Sequence, residues 1–327
     1  MNRRSHSTRS NAEGLGLWPL TDDELDDIYL GALEVLERAG LKVQDPDCID
    51  IFADAGCKVD RETHIVRFPP EVVEDAVNVS PARIRLCGRD PKHDVIWEAG
   101  RPTFTPFLEG VLTVDLETQQ IRESTKQDVA DICHLVEFLP EFDLPCVAVT
   151  PRDKPTETAS IHGFDAALRN TTKGVYIALL SRHETEAVIE MAAAVAGGPE
   201  ELADRPIVAT AGSPVAPLHF NKSFTDFLVT SARARVPTFC ISMGMVGATM
   251  PVTIAGTMVV GTAEELAGLV LIQACERGCP AIVGQSTCGF DMRTGLATVG
   301  CPEMALVMAA TAQVGRRIGV PSYAAGL

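Results

Sequence analysis

From about residue 144 onward, the pattern of apolar and polar positions repeats one unit. A short apolar run without polar alternation is followed by a longer stretch with apolar residues at helical spacing. The apolar runs cover 146–150, 175–180, 207–211, 238–243, 281–285 and 322–325, and helices are predicted between them over 157–169, 183–195, 222–235, 263–277 and 303–318. Strands that skip alternation bury both faces, and a repeat of about 30 residues leaves room for a crossover helix, so the pattern predicts a parallel sheet covered by helices. Gly278-Cys279-Pro280 and Gly319-Val320-Pro321 each end a helix and open a strand, because glycine closes helix C-termini and proline extends the residue before it. The strand-to-helix loops, 211–218, 244–252 and 286–302, are longer and rich in Gly, Ser, Thr and Met.

The first third of the chain reads differently. Residues 1–20 are predicted to be a disordered, basic tail, residues 21–102 a small α+β segment, and residues 103–327 the repeating domain. Thr21 with Glu24 forms a capping box for a helix over 21–39 that gathers Leu25, Ile28, Tyr29, Ala32, Leu33 and Leu36 on one side. Strands are predicted at 65–68 and 83–86, with a proline-opened helix at 70–77 between them. An apolar, β-rich stretch over 104–114, a turn at 115–119 and a helix over 125–139 lead into the repeat. An open nucleotide-binding sheet would carry a Gly-rich phosphate loop after its first strand, and this chain has none. The fold class predicted is therefore α/β, a (β/α)8 TIM barrel incomplete at its C-terminus, since Leu327 falls after the seventh strand of the pattern.

Composition narrows the function classes. The formal charge is −16, from 28 Lys and Arg against 44 Asp and Glu, and such a surface repels polyanions, so no nucleic-acid partner is expected. No uninterrupted apolar run in the sequence reaches the ~20 residues needed to span a bilayer, and the N-terminus lacks the apolar core of a signal peptide. The ten cysteines are irregularly spaced, which predicts reduced thiols and a cytoplasmic location. Cys275 and Cys279 share a helical face without a His or further Cys to complete a zinc set, and they read as small buried thiols.

In a barrel the C-terminal strand ends face the reaction site. Here they carry Thr150, Ser181, Ser213, Met243, Gln285 and Ser286, most of which are small and neutral. They suit an uncharged or cationic organic group better than a phosphate, although the same residues can simply cap a barrel. The loop after the 281–285 strand places Phe290, Asp291 and Arg293 together, an arrangement that serves either substrate binding or loop stiffening. Glu109 offers a carboxylate near the first strand, either for a cation or as a solvated rim charge. Phe290 and Tyr323 read first as ordinary core residues and second as members of a cation-binding cage. His162, His183 and His219 lack the mutual spacing of a metal site, and Met243, Met245 and Met250 read as packing.

Several segments resemble the trimethylamine methyltransferase family: 245–257 (MVGATMPVTIAGT), 263–268 (AEELAG), 290–295 (FDMRTG) and 300–303 (GCPE). The likeness runs from the N-terminal helix to Leu327. It implies a (β/α)8 barrel that moves a methyl group from trimethylamine to the Co(I) corrinoid cofactor of a separate corrinoid protein. That cofactor would be carried by the partner, with none bound directly by this chain, and we expect a homo-oligomer. One branch of the family carries pyrrolysine after a segment resembling Tyr323-Ala324-Ala325-Gly326-Leu327, and the other branch carries an ordinary residue there and uses quaternary amines such as glycine betaine. The resemblance thus implies an amber codon at position 328, read as a stop, and a catalytic residue just beyond Leu327. Its electrophilic imine would hold the free amine as a quaternary adduct, because protonated trimethylamine, with a pKa near ~10, has no free lone pair. The alternatives are a quaternary-amine enzyme of the same family and a non-catalytic fragment that only binds the corrinoid protein or a methylamine. Substrate-binding candidates are Glu109, Ser213, Gln285, Phe290, Asp291, Arg293 and Tyr323.

Overall fold

The computed structural model describes residues 17–326. Most of the expected N-terminal tail, and Leu327 with the position after it, lie outside the described residues. The chain divides into two compact units, Ile84–Ala211 with Ala234–Pro237 in one, and 17–83 with Gly212–Arg233 and 238–326 in the other.

In the first unit, parallel pairing starts at Gly110, which bridges Val149, and continues where Cys146 bridges Tyr176. Strand β1 (Val175–Ala178) then pairs in parallel with β2 (Val208–Gly212), Val175 opposite Val208, and Thr210 N–H donates to Pro237 O at 2.9 Å. Helices α1 (Lys126–Phe138), α2 (Ala159–Asn170) and α3 (Arg182–Ala196) are the crossovers. Each start has a local cause where a cap is present: Thr125 with Asp128 forms a capping box for α1, and Ser181 accepts from Glu184 N–H at the start of α3. Gly197 ends α3 at φ +108°, a conformation that side chains with a Cβ rarely adopt.

The 104–114 stretch departs from the sequence expectation. Only Leu112–Val114 becomes a strand, in an antiparallel hairpin with Ile121–Glu123, while Phe104 and Phe107 are exposed. Pro106 interrupts the run by removing a ladder donor and restricting Thr105 before it.

The second unit contains the parallel strands β3 (Thr238–Ser242), β4 (Ala281–Gln285) and β5 (Ser322–Ala324). β3 is aligned on β4 with Ser242 opposite Gln285, and β4 on β5 with Gln285 opposite Ala324. Residues of β3 and β4 are buried on both faces, as their unbroken apolar pattern requires. The runs predicted at 238–243, 281–285 and 322–325 are thus present as parallel strands of this unit. Helices α4 (Lys222–Arg233), α5 (Ile254–Cys275) and α6 (Pro302–Ile318) accompany them.

Helix α5 begins well before the predicted 263, because Thr253 caps it by accepting from Gly256 N–H. Among the described residues it alone is long and apolar enough to cross a membrane, with a mean hydropathy of 1.5 over a window that is 78% buried inside the fold. It is a core helix, apolar around its circumference, and two carboxylates, Glu264 and Glu265, are buried within it. It packs on the N-terminal helix Asp22–Glu34, which a one-turn π-helix, Val35–Ala39, extends to the predicted end. Leu25 and Ile28 of that helix join Met258, Met304, Val307 and Val314 in one apolar cluster.

Two small sheets in this unit had no signal in the local pattern. Leu41–Val43 and Lys58–Asp60 flank the predicted strand Ile65–Arg67 in an antiparallel sheet, and His219–Phe220 adds to Leu41–Val43 in parallel. The loops after β3 and β4 are zipped together as well: Met245–Val246 pairs in parallel with Cys288–Gly289, and Cys288–Asp291 turns back antiparallel onto Leu296–Thr298.

Candidate functional site at the C-terminal strand ends

In the second unit the ends of β3 and β4 meet the buried acidic pair of α5. Ser242 Oγ donates to Glu264 Oε2 at 2.6 Å, and Leu218 N–H donates to Glu264 Oε1 at 2.7 Å. Glu264 therefore ties the strand end to the loop that follows β2, in which Leu218 takes a positive φ of 54° that is uncommon outside glycine. Burial pushes the Glu264 carboxyl up, and the bonds from Ser242 and Leu218 oppose that rise.

Glu265 is 2% exposed and its carboxyl is pushed up to about 8, first by burial and then by the neighbouring Glu264 charge, with the Gln285 side chain offsetting part of the rise. Gln285, the last residue of β4, is fully buried, and its carboxamide occupies space that a side chain at Gly261 would fill. Glu265 Oε1 and both polar atoms of the Gln285 side chain have no hydrogen-bond partner among the described residues.

In the first unit the strand ends present a second acidic pair. Glu109, at φ +62°, precedes the bridge at Gly110, and its N–H donates to Val147 O at 3.3 Å. Although the residue is exposed as a whole, its carboxyl is pushed up, first by desolvation and then by the charge of Glu184. Glu184 itself is buried and occupied, accepting from Leu180 N–H at 3.2 Å and Ser181 Oγ at 3.1 Å.

The remaining sequence candidates fall at distinct places. Ser213 is half-buried in the loop after β2, the loop that Glu264 anchors through Leu218. Tyr323 lies on β5 with its ring edge-to-face on Phe239 at 6.1 Å, and it is paired in register with Gly284 of β4. Phe290 is half-buried on the hairpin strand opposite Ala297. Asp291 Oδ1 accepts from Arg293 N–H at 2.8 Å and Gly295 N–H closes onto Asp291 O at 2.8 Å, so this pair shapes the hairpin turn. The Arg293 side chain is 92% exposed and stands 3.7 Å from Asp291.

Glu264 and Glu265 were not among the candidates. The signal that finds them is two adjacent carboxylates inside the most apolar helical stretch of the chain, which burial makes costly unless they are bonded or neutral. Among the described residues no group of three or more His, Cys, Asp or Glu is placed to hold a metal ion.

Parallel strands joined by helical crossovers, with polar groups at their C-terminal ends, are the features of the α/β-barrel class. Residues 8–327 match the model of the trimethylamine methyltransferase (MTTB) family, and the chain belongs to that family. It is 36% identical over 317 residues to trimethylamine methyltransferase MttB of Desulfitobacterium hafniense (strain DSM 10664 / DCB-2), covering 97% of this chain and 64% of that protein. It is 34% identical over 318 residues to trimethylamine methyltransferase MttB of Methanosarcina thermophila, covering 96% of this chain and 66% of that one. A glycine betaine methyltransferase of Desulfitobacterium hafniense (strain Y51) is 27% identical over 309 residues, covering 94% of this chain and 64% of that protein. The chain thus spans just under two thirds of the length of these relatives. The crystal structure of the Methanosarcina barkeri monomethylamine methyltransferase (MtmB) aligns with a TM-score of 0.54 at 14% identity, over 98% of this chain and 70% of that one. At that identity the likeness establishes the fold alone, and it places the chain in the α/β-barrel class.

Proposed function

We propose that this protein moves a methyl group from trimethylamine to the Co(I) corrinoid of a separate corrinoid protein, as a step of methylamine-based one-carbon metabolism. The observation that carries this reading is the family match together with the difference in identity between relatives: 36% to a trimethylamine methyltransferase and 27% to a glycine betaine methyltransferase over nearly the same span. The ten free thiols support a reducing, cytoplasmic setting.

The corrinoid cobalt on the partner supplies the nucleophile that receives the methyl group. The work left to this chain is to take up the amine, free its lone pair and orient it. A carboxylate whose pKa is raised attracts an ammonium group and is also a stronger base than an unperturbed one, so Glu109 suits both binding the protonated amine and accepting its proton. Ser213, Gln285, Phe290, Asp291 and Tyr323 are assigned to lining and shaping the amine site, while Arg293, with its side chain in solvent, is assigned to the hairpin turn. In this reading the residue after Leu327 is the pyrrolysine that the resemblance implies.

The test uses the full-length protein purified with its corrinoid protein, with methyl–cobalt formation followed by visible absorbance. Turnover with trimethylamine and none with glycine betaine is the expected result, together with a pyrrolysine-mass residue in the peptide that continues past Leu327. Turnover with glycine betaine instead, with an ordinary residue at that position, assigns the protein to the quaternary-amine branch, the reading that the 27% relative favours.

A further inference from the structure

We propose that Glu265 is a positioning residue: as a neutral carboxylic acid it donates its proton to Gln285 Oε1 and so fixes the C-terminal end of β4 and the segment that follows β5. The inference starts from three buried polar atoms on two side chains, Glu265 Oε1, Gln285 Oε1 and Gln285 Nε2, none with a hydrogen-bond partner among the described residues. Leaving such atoms unpaired costs about 1–3 kcal/mol each, and an ionised carboxylate cannot relieve the amide oxygen, because both are acceptors. An ionised Glu265 can accept from Gln285 Nε2–H, which favours the charged form, but it leaves Gln285 Oε1 unserved; one proton lets the carboxyl donate to Oε1 while its other oxygen accepts from Nε2, so both polar atoms of the amide find a partner.

The surroundings favour that protonated state. Glu265 and Gly261 lie one helical turn apart on α5, on a single face, and the missing side chain at Gly261 is what admits the Gln285 carboxamide. The titratable groups facing Glu265 are Glu264 on the same helix, whose charge opposes a second negative charge, and Cys240 on β3, whose thiol burial holds well above its usual range. β4 contributes Gln285, which is uncharged. Ser242 and Leu218 N–H both serve Glu264, so Glu264 is the member of the pair equipped to carry charge and Glu265 the member equipped to hold a proton.

The consequence runs along the backbone. Gln285 is paired in register with Ala324, and Gln285 O accepts from Ala325 N–H at 3.2 Å. Locking the Gln285 side chain therefore locks the strand end against which 324–326 is laid. The importance of that segment for chemistry rests on the proposed methyltransferase reading, but its anchoring does not, and the two are measured separately.

The experiment is peptide-level hydrogen exchange of 322–326 in the full-length protein between pH 6 and pH 9, corrected for intrinsic exchange rates, with methyl transfer assayed in parallel. In the wild type, protection of this segment is expected to fall about tenfold across that range, which corresponds to about 1.4 kcal/mol. Glu265→Gln keeps a neutral amide that can donate to Gln285, and it is expected to hold protection flat with pH. Glu265→Ala is expected to give low protection at every pH; should it fail to fold, the comparison of wild type with Glu265→Gln decides alone. Equal pH profiles in wild type and Glu265→Gln would overturn the proposal, whatever the activity assay shows. Absence of methyl transfer by the wild-type protein, with the exchange pattern as expected, would instead count against the methyltransferase reading alone.

Discussion

A Cβ atom on Gly261 would lie 2.5 Å from Gln285 Nε2 and 2.6 Å from its Cδ, so the absence of a side chain at one residue makes room for the amide of the other. Because Gln285 is fully buried, its side chain has little space into which to retreat. Gly261→Ala is therefore expected to destabilise the protein by about 1–3 kcal/mol, the usual cost of overpacking, even though alanine is the better helix former. Chemical denaturation of the two proteins at one pH checks this, and an unchanged midpoint would show that the carboxamide moves aside freely.

Ser242→Ala removes the hydroxyl that donates to Glu264 at 2.6 Å. A hydrogen bond to a charged group contributes about 1.5–3 kcal/mol, and its loss is expected both to lower stability by that order and to raise the Glu264 pKa further. Titration of the Glu264 carboxyl by NMR in the two proteins measures the shift, while calorimetry measures the stability.

The buried ammonium of Lys173 caps a helix end. It donates to Val136 O, to Leu139 O at 3.0 Å and to Phe142 O at 2.8 Å, at and beyond the C-terminus of α1. Cations are favoured at that end of a helix, where carbonyls lack partners. Lys173→Met fills similar volume but leaves those acceptors unserved, and a loss of about 3 kcal/mol is expected. A denaturant midpoint that does not move would show that water replaces the ammonium without cost.

Stability is expected to fall on both sides of a mid-acid optimum. On the acid side, the Glu137 carboxyl is held at about 2: burial alone would raise it, but the bonds from Thr172 and Thr171 and the nearby His93 outweigh that effect. Arg122, bonded to both oxygens at 2.7 Å, is the main cause holding Asp128 at about 2 as well. Groups depressed in the folded state contribute stability above their ordinary pKa, near 4, and lose it as pH falls toward 2.

Glu265 acts in the opposite sense. Its folded value of about 8 lies above the ordinary 4.5, so its contribution is fully present below 4.5 and is lost as pH rises toward 8. Melting temperatures measured from pH 3 to pH 9 should therefore pass through a maximum, and Glu265→Gln should remove much of the decline on the alkaline side while leaving the acid limb unchanged. A wild-type curve still rising at pH 8 would contradict the assignment.

What the sequence by itself determined is whatever follows from short-range rules. Apolar runs without alternation marked β1 to β5, because a strand covered on both faces has no polar side to show. Thr21 with Glu24 marked a helix start, because a cap needs only its own first turn. The resemblance motifs lie in the same unit as α5 and the strand ends, and they pointed to the family that the whole-chain comparison then established.

Only the tertiary structure decided which distant groups meet. His219–Phe220 completes a sheet begun at Leu41–Val43, Lys173 reaches the end of a helix far earlier in the chain, and the hairpin turn takes Asp291 and Arg293 for its own geometry. The Glu264 and Glu265 carboxylates looked like interruptions of an apolar helix until burial made one a bonded anchor for Ser242 and Leu218 and the other a carboxyl facing Gln285. The physical reason is that desolvation and hydrogen-bond satisfaction depend on what surrounds a side chain in three dimensions, which no local pattern records.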